Sequence, residues 1–503
     1  VAGSLRSVVD MDTATMTRST TLTSRPRPAI TGRARTLALV SLLLASAMEL
    51  IDVTIVNVAL PTIERSLGAS GAMLQWVVAA YPLAFGISLI TGARLGDRFG
   101  RRRLFLVGLV AFTLASAACG LAPSAAALVG FRAVQGIAAA AMVPQVLTSI
   151  QVMYAPHERG KAMAAFSALA GLAAVVGPIM GSVLTETAGW RWVFLVNVPV
   201  GVLALVAALR FVPESRAAHA NRVDFRGVAV LSAGLLALLY PLVMGHELGW
   251  PTWTYAVMAA GAVILAAFVA AEARHERAGD EPLVATSLYR DRAFSGGSLV
   301  GGLLFIAGTG YFLAGTIYFQ AGLGWSVLKA GLVNIPFALI CTVTAGAGAA
   351  VLMARIGRRV LSLGAVVMAV GAVVMWLTVR DATPATSFWA FVPAICLIGA
   401  GFGFVVSSTA PLALGQVPDR QAGSASGQFN TTGQLANAVG AAVMGTLFFE
   451  VAGRQHTHAP AEIFRPAFLV VLTVMAALLL LVAVATTVIP ADAHEHADPD
   501  AGH

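Results

Sequence analysis

Met48-Glu49-Leu50-Ile51-Asp52-Val53-Thr54-Ile55-Val56-Asn57-Val58-Ala59-Leu60-Pro61 closes an apolar run that begins at Thr36. The run is long enough to cross a bilayer as one helix, which takes about 20 residues. Two carboxylates sit inside it, and each costs about 2.5–3.5 kcal/mol near the middle of a membrane helix. Glu49 and Asp52, three residues apart, lie about 60° from each other around a helix and share one face. A chain carries that cost when the face lines a wet cavity and the acids bind something. The pattern is that of a coupling site in a transporter.

Working outward, the composition agrees. Of 503 residues, 58% are hydrophobic and 11% charged, against about 25% charged in soluble domains. Mean hydropathy is +0.82. This is a polytopic membrane protein, and its net charge of +8 reflects topology rather than affinity for nucleic acid. Cys119, Cys341 and Cys396 all fall in apolar runs, with neither a disulfide framework nor metal spacing. Residues 1–35 are polar and rich in Ser, Thr and Arg, without the apolar core of a signal peptide, and are expected to form a disordered cytosolic tail. Met11 and Met16 are alternative starts within that tail.

Fourteen segments of spanning length follow. The first six lie within residues 36–211, two more within 227–271, and the last six within 294–489, before an acidic tail at 490–503. With the N-terminus inside, twenty-five of the 32 Lys and Arg fall in cytosolic segments and six in outer loops. The positive-inside rule therefore predicts both termini in the cytosol. The run His494-Glu495-His496 is read as part of a solvated tail, not a metal site. An internal repeat supports the division. Gly100-Arg101-Arg102, followed by Leu104 and Gly108, recurs eight helices later as Gly357-Arg358-Arg359, followed by Leu361 and Gly364. Two six-helix bundles with two helices inserted between them produce that spacing.

The loop Ala93-Arg94-Leu95-Gly96-Asp97-Arg98-Phe99-Gly100-Arg101-Arg102-Arg103 closely resembles the signature loop of the major facilitator superfamily, with Ala93 where that family usually has Gly. The resemblance implies an inner gate at Asp97, Arg98, Gly100, Arg101 and Arg102. There Asp97 would latch onto the N-terminus of a helix of the other half, beginning near Gly427. Phe131-Arg132-Ala133-Val134-Gln135-Gly136 resembles the family's intramembrane arginine motif. Arg132 is the one basic residue inside a span, and a buried guanidinium needs an anion. Glu49 and Asp52 are its candidate partners. Val176-Gly177-Pro178-Ile179-Met180-Gly181 resembles the motif that the family associates with antiport, although Ser182 replaces its last Gly. The opening run Asp52–Pro61 and the stretch Trp190-Arg191-Trp192-Val193-Phe194-Leu195-Val196-Asn197-Val198-Pro199-Val200-Gly201 are similar to motifs of the fourteen-span drug:proton antiporters.

The expected fold is thus all-α and integral to the cytoplasmic membrane, a multi-pass major facilitator fold of fourteen helices. The expected activity is export of hydrophobic or cationic small molecules in exchange for protons, by a monomer that uses the proton gradient and no cofactor. Asp52, Glu49 and Arg132 would couple the proton. Asn57, Gln135, Asn430, Gln434 and Asn437 are candidate cavity residues, with interhelical hydrogen bonding as the alternative for the last three. Phe305, Tyr311, Phe312 and Phe319 would touch substrate, lipid or core, and Trp190, Trp192, Trp250, Trp253 and Trp325 would form an interfacial belt. An uptake symporter of the same fold is the nearest rival. A membrane enzyme fits poorly, because all nine histidines read as loop or tail residues.

Overall fold

The computed structural model describes residues 32–490 except 155, 217–223, 280–281, 348–350, 418–420 and 456–458. Both predicted tails fall almost wholly outside the described residues. Among the described residues there are fourteen long helices and no strand. They are α1 (Gly32–Leu67), α2 (Gly71–Phe99), α3 (Arg101–Gly120), α4 (Ala125–Met153), α5 (Pro156–Thr187), α6 (Trp192–Phe211), α7 (Phe225–Leu248) and α8 (Thr252–Arg277). After these come α9 (Arg292–Gly322), α10 (Val327–Gly346), α11 (Arg359–Arg380), α12 (Val392–Leu414), α13 (Ala422–Gly453) and α14 (Pro460–Val488). All but α5 contain an apolar stretch of spanning length with at most two charged residues. α5 has 32 residues, about 48 Å at 1.5 Å per residue, ample for a crossing.

Helix ends run past the apolar segments. α1 begins at Gly32 rather than Thr36 and passes through Pro61 to Leu67. Prolines also sit inside α2 (Pro82), α4 (Pro144) and α5 (Pro178), as packed membrane helices allow. α13 starts five residues before Gly427.

The repeat read from the sequence has a structural counterpart. Gly100 and Gly357 both turn the chain with positive φ, at +111° and +54°, a region where a Cβ would be strained. A Cβ on Gly108 would strike the backbone of α4, and one on Gly364 the backbone of α12. Arg102 donates to Leu209 O at the end of α6, while Arg358 donates to Thr487 O and Ile489 O at the end of α14. The pairs α3–α6 and α11–α14 therefore correspond. They also carry exposed apolar residues that face lipid, such as Leu114, Leu203, Val370 and Leu480.

The inserted pair α7–α8 rests beside the seam between the halves, where Leu235 and Leu239 share a core with Trp76 of α2 and Ala441 of α13. Trp192 and Trp253 are exposed as belt residues should be, but Trp190 and Trp325 are buried. Trp190 meets Phe194 edge-on, and Trp325 stacks on Phe319 with ring centroids 5.2 Å apart. Both are core residues, because aromatic neighbours cover them on the protein side.

Orientation is tested at the α7–α8 turn. Leu248→Cys, in a chain with the three native cysteines replaced, should react with a membrane-impermeant maleimide on intact cells. Reaction only after lysis would invert the assignment from α7 onward.

Candidate functional site

Asp52 lies on the inward face of α1 and is wholly buried. Arg132 Nη1 of α4 donates to its Oδ2 at 2.5 Å, and both side chains are at most 2% exposed. Gln135, one turn along α4, donates through Nε2 to Oδ1 at 2.9 Å. Asn197 of α6 donates to the same oxygen at 2.8 Å. Asn197 is itself placed by Ser116 Oγ of α3, at 3.0 Å, which in turn donates to Phe194 O. One carboxylate thus collects donors from two other helices, and a third orients one of them. A buried ion pair is tolerable only when so fully hydrogen-bonded.

Glu49 occupies a separate niche one turn earlier. Its Oε1 accepts from Tyr81 OH of α2 at 3.0 Å. The Tyr81 ring lies against Arg132, with Cζ 4.5 Å from the ring centroid, a distance at which a guanidinium is attracted to the π face. Of the two candidate acids, Asp52 holds the arginine.

The close approach of α1 and α5 sets the position of this acid. A Cβ on Gly177 would sit 1.9 Å from Thr54 Oγ1, and one on Gly181 would fall 2.8 Å from Ile55 Cγ1. Only glycine fits either site. Ser182 Oγ donates to Pro178 O at 2.6 Å, and a Cβ on Gly331 of α10 would collide with Ser182 Oγ. The Gly-Pro segment therefore packs on the Asp52 helix and on the opposite half together.

Beside the Asp52 cluster, between the halves, is a cavity of about 210 Å³. Asn57 of α1, Arg132 of α4, Thr309 of α9 and Asn437 of α13 supply polar groups to its wall, and Phe305, Phe312 and Phe402 supply aromatic ones. The other proposed cavity residues are placed elsewhere. Gln135 is buried in the Asp52 network, Asn430 is exposed and bonds Ser426 O on its own helix, and Gln434 packs beside Gly86. Tyr311 and Phe319 belong to the core. Asn197, Tyr81, Ser116 and Thr309 were not singled out from the sequence. Asn197 left one signal, being the only amide in an otherwise apolar span.

The two halves are joined at their outer ends. Gln320 Nε2 of α9 donates to Val58 O of α1 at 2.9 Å, and Thr446 of α13 to Gln75 Oε1 of α2 at 3.2 Å. Leu328 N of α10 donates to Glu186 Oε2 of α5 at 2.6 Å. At the other end, no bond from Asp97 to α13 occurs among the described residues. Asp97 pairs with Arg101 at 2.8 Å in its own half, while Arg101 N and Arg102 N are held by Ser215 O and Glu214 after α6. The arginines expected to latch the gate thus brace α3 against α6. Arg98 covers Phe99, and Arg94 crosses to Pro282 O in the segment before α9. Three hydrogen bonds thus join the halves at their outer ends, and Asp97 is bonded within its own half.

The profile of the Major Facilitator Superfamily matches residues 42–228 and 225–441. The chain belongs to this superfamily. Its relatives include a probable actinorhodin transporter of Streptomyces coelicolor, 40% identical over 417 residues, covering 82% of this chain and 72% of that protein. A cephamycin export protein of Amycolatopsis lactamdurans is 35% identical, over 91% of this chain and 93% of its own. A puromycin resistance protein of Streptomyces alboniger is 34% identical over 81% of each. Among solved structures, a bacterial homologue of the human lysosomal transporter Spinster, inward-facing and unoccupied, superposes with TM-score 0.65 at 16% identity. It covers 92% of this chain and 98% of that structure, and shows the shared fold. This major facilitator chain is accordingly a multi-pass membrane protein.

Asp97→Asn should damage conformational switching more than binding, since Asp97 stands at the cytosolic end of α2, away from the cavity. Uphill transport should fall at least about tenfold while Kd on purified protein stays within about threefold. A large loss of affinity with normal turnover would remove Asp97 from the gate.

Proposed function

We propose that this major facilitator chain is a proton-coupled exporter of hydrophobic small molecules. The observation that carries the reading is the Asp52–Arg132 pair buried directly behind a cavity between the halves. Asp52 is on α1, Arg132 and Gln135 on α4, and Asn197 on α6. Protonation removes the charge that holds the guanidinium, so one proton resets the mutual positions of three helices. A carboxylate that accepts three donors is suited to that switch, because its neutral form must give up the strong charge-assisted bond. The names of the relatives, which concern export of or resistance to antibiotics, supply the direction and the general substrate type. The Gly177-Pro178 segment packed on the Asp52 helix agrees with exchange rather than symport.

The energetics suffice. A proton-motive force of about 200 mV supplies roughly 4–5 kcal/mol per proton, enough for about a thousandfold gradient of an uncharged compound. No cofactor is needed for that work, and the proton gradient is the proposed energy source, with a monomer as the working unit. The test is transport by proteoliposomes under an imposed pH gradient, scanned over a compound panel. Substrate should move against its gradient as protons move the other way, and an uncoupler should stop both. Co-movement of proton and compound in one direction would replace the exporter by the uptake symporter.

A further inference from the structure

The export reading leaves the substrate class open, and the cavity wall narrows it. Among the described residues that line the cavity, the one charged side chain is Arg132, a cation. Asp52 does not reach the wall, being consumed by Arg132, Gln135 and Asn197. Glu49 does not reach it either and is bonded to Tyr81. The charge on Arg132 is balanced by Asp52 behind the wall, so a cationic guest would find no free acid there. An anionic guest would compete with Asp52 for Arg132, whose Nη1 is already committed to that acid and to Gln135. The wall suits an uncharged molecule.

The remaining polar groups have a defined sense. Thr309 Oγ1 donates to Asn437 Oδ1 at 2.8 Å, so the Asn437 amide is left with its NH2 group as the free donor. Arg132 uses Nη1 and Nε on Asp52, Gln135 and Val77 O, which leaves the Nη2 donors. Asn57 Nδ2 donates to Val53 O at 3.3 Å, which leaves its carbonyl as an acceptor on the first half, while the donors of Arg132 and Asn437, one on each half, want acceptor oxygens. Between them stand the rings of Phe305, Phe312 and Phe402. Phe337 backs two of these, 5.1 Å from Phe312 and 5.6 Å from Phe402 between centroids. The volume of about 210 Å³ is below the roughly 300 Å³ at the lower end of small-molecule sites, which favours a compact guest.

We infer that the cavity binds compact, uncharged aromatic compounds with ring carbonyl oxygens, and that Asn437, oriented by Thr309, selects for the carbonyl. This rests on the export reading of the same cavity. A site built to hydrogen-bond a guest discriminates against the analogue that lacks the group, because its own donors then go unpaired.

The test is binding, measured with the full chain in lipid nanodiscs and with empty nanodiscs subtracted. The probes are anthraquinone, anthracene and the flat cation ethidium. Wild type should bind anthraquinone about tenfold more tightly than anthracene, and ethidium weakest of the three. Asn437→Leu should cut the anthraquinone preference to about threefold or less, the loss expected for one hydrogen bond to a neutral group, while anthracene binding persists and certifies the fold. Thr309→Val should do the same more weakly. Asn437→Asp puts an acid on the wall and should raise ethidium affinity about tenfold. An unchanged anthraquinone preference in Asn437→Leu, or ethidium as the tightest wild-type ligand, would overturn the inference. Carbonyl-selective binding without any uphill transport would instead sink the exporter reading and leave this one standing.

Discussion

Asp52→Asn is expected to abolish uphill export, whereas Glu49→Gln should leave at least about a third of it. The asymmetry follows from what each acid touches. Asp52 accepts from Arg132, Gln135 and Asn197 and so ties α1 to α4 and α6. An asparagine cannot titrate, so the tie can no longer be made and broken by a proton. Glu49 has the single bond from Tyr81 OH, which a glutamine carbonyl accepts equally well. Asp52→Glu should keep part of the activity. It restores the carboxylate but forces an extra methylene into a filled site, a strain of about 1–3 kcal/mol. The measurement is substrate-induced proton release from proteoliposomes with equal amounts of each protein. Wild-type proton release from Asp52→Asn would end the mechanism, and loss from Glu49→Gln alone would transfer the coupled proton to Glu49.

Much of this is legible in the sequence. Charges inside apolar runs are expensive, so Glu49, Asp52 and Arg132 announce themselves. The ion pair follows because a guanidinium at that depth needs an anion. The repeat was legible because Gly100 and Gly357 are required by backbone geometry at equivalent turns. The partners of Asp52 were not. Asn197 and Ser116 are ordinary polar residues in membrane helices, and only the crossing of α3, α4 and α6 brings them to one carboxylate. Gln135 lies on the Arg132 face of α4, which sequence spacing shows. Whether that face meets the cavity or the acid depends on helix rotation, which spacing does not fix. Thr309 and Asn437 come from opposite segments of the second half and meet only after folding. Spacing likewise does not choose a partner for Asp97, which pairs here with Arg101 in its own half. Helix ends overran the prediction because polar turns extend beyond the bilayer without an apolar signal.

The stability of the charge pair should be unequally sensitive to its two members. Asp52→Asn leaves Arg132 buried and still charged, since a guanidinium stays protonated in proteins. Breaking a buried pair in this way costs about 3–5 kcal/mol, offset only in part by the Tyr81 ring against Arg132. Removal of an intramembrane acid, which on its own would ease insertion, is here destabilising because its partner is left behind. Arg132→Gln is the milder change, because the stranded Asp52 can take up a proton and become neutral while Gln135 and Asn197 remain as its donors. The double variant Asp52→Asn/Arg132→Gln removes both charges and should recover most of the stability lost by Asp52→Asn. Thermal midpoints of the three variants in one detergent, at one scan rate, give the ranking: wild type highest, Asp52→Asn lowest, the double variant above Asp52→Asn. The double variant should also exchange substrate down its gradient at a measurable rate with no proton movement, because an amide pair can hold α1 to α4 without sensing pH. A double variant no more stable than Asp52→Asn would mean that the cost arises from lost packing rather than from a stranded charge. Arg132 would then be a structural residue, and its link to the proton would be withdrawn.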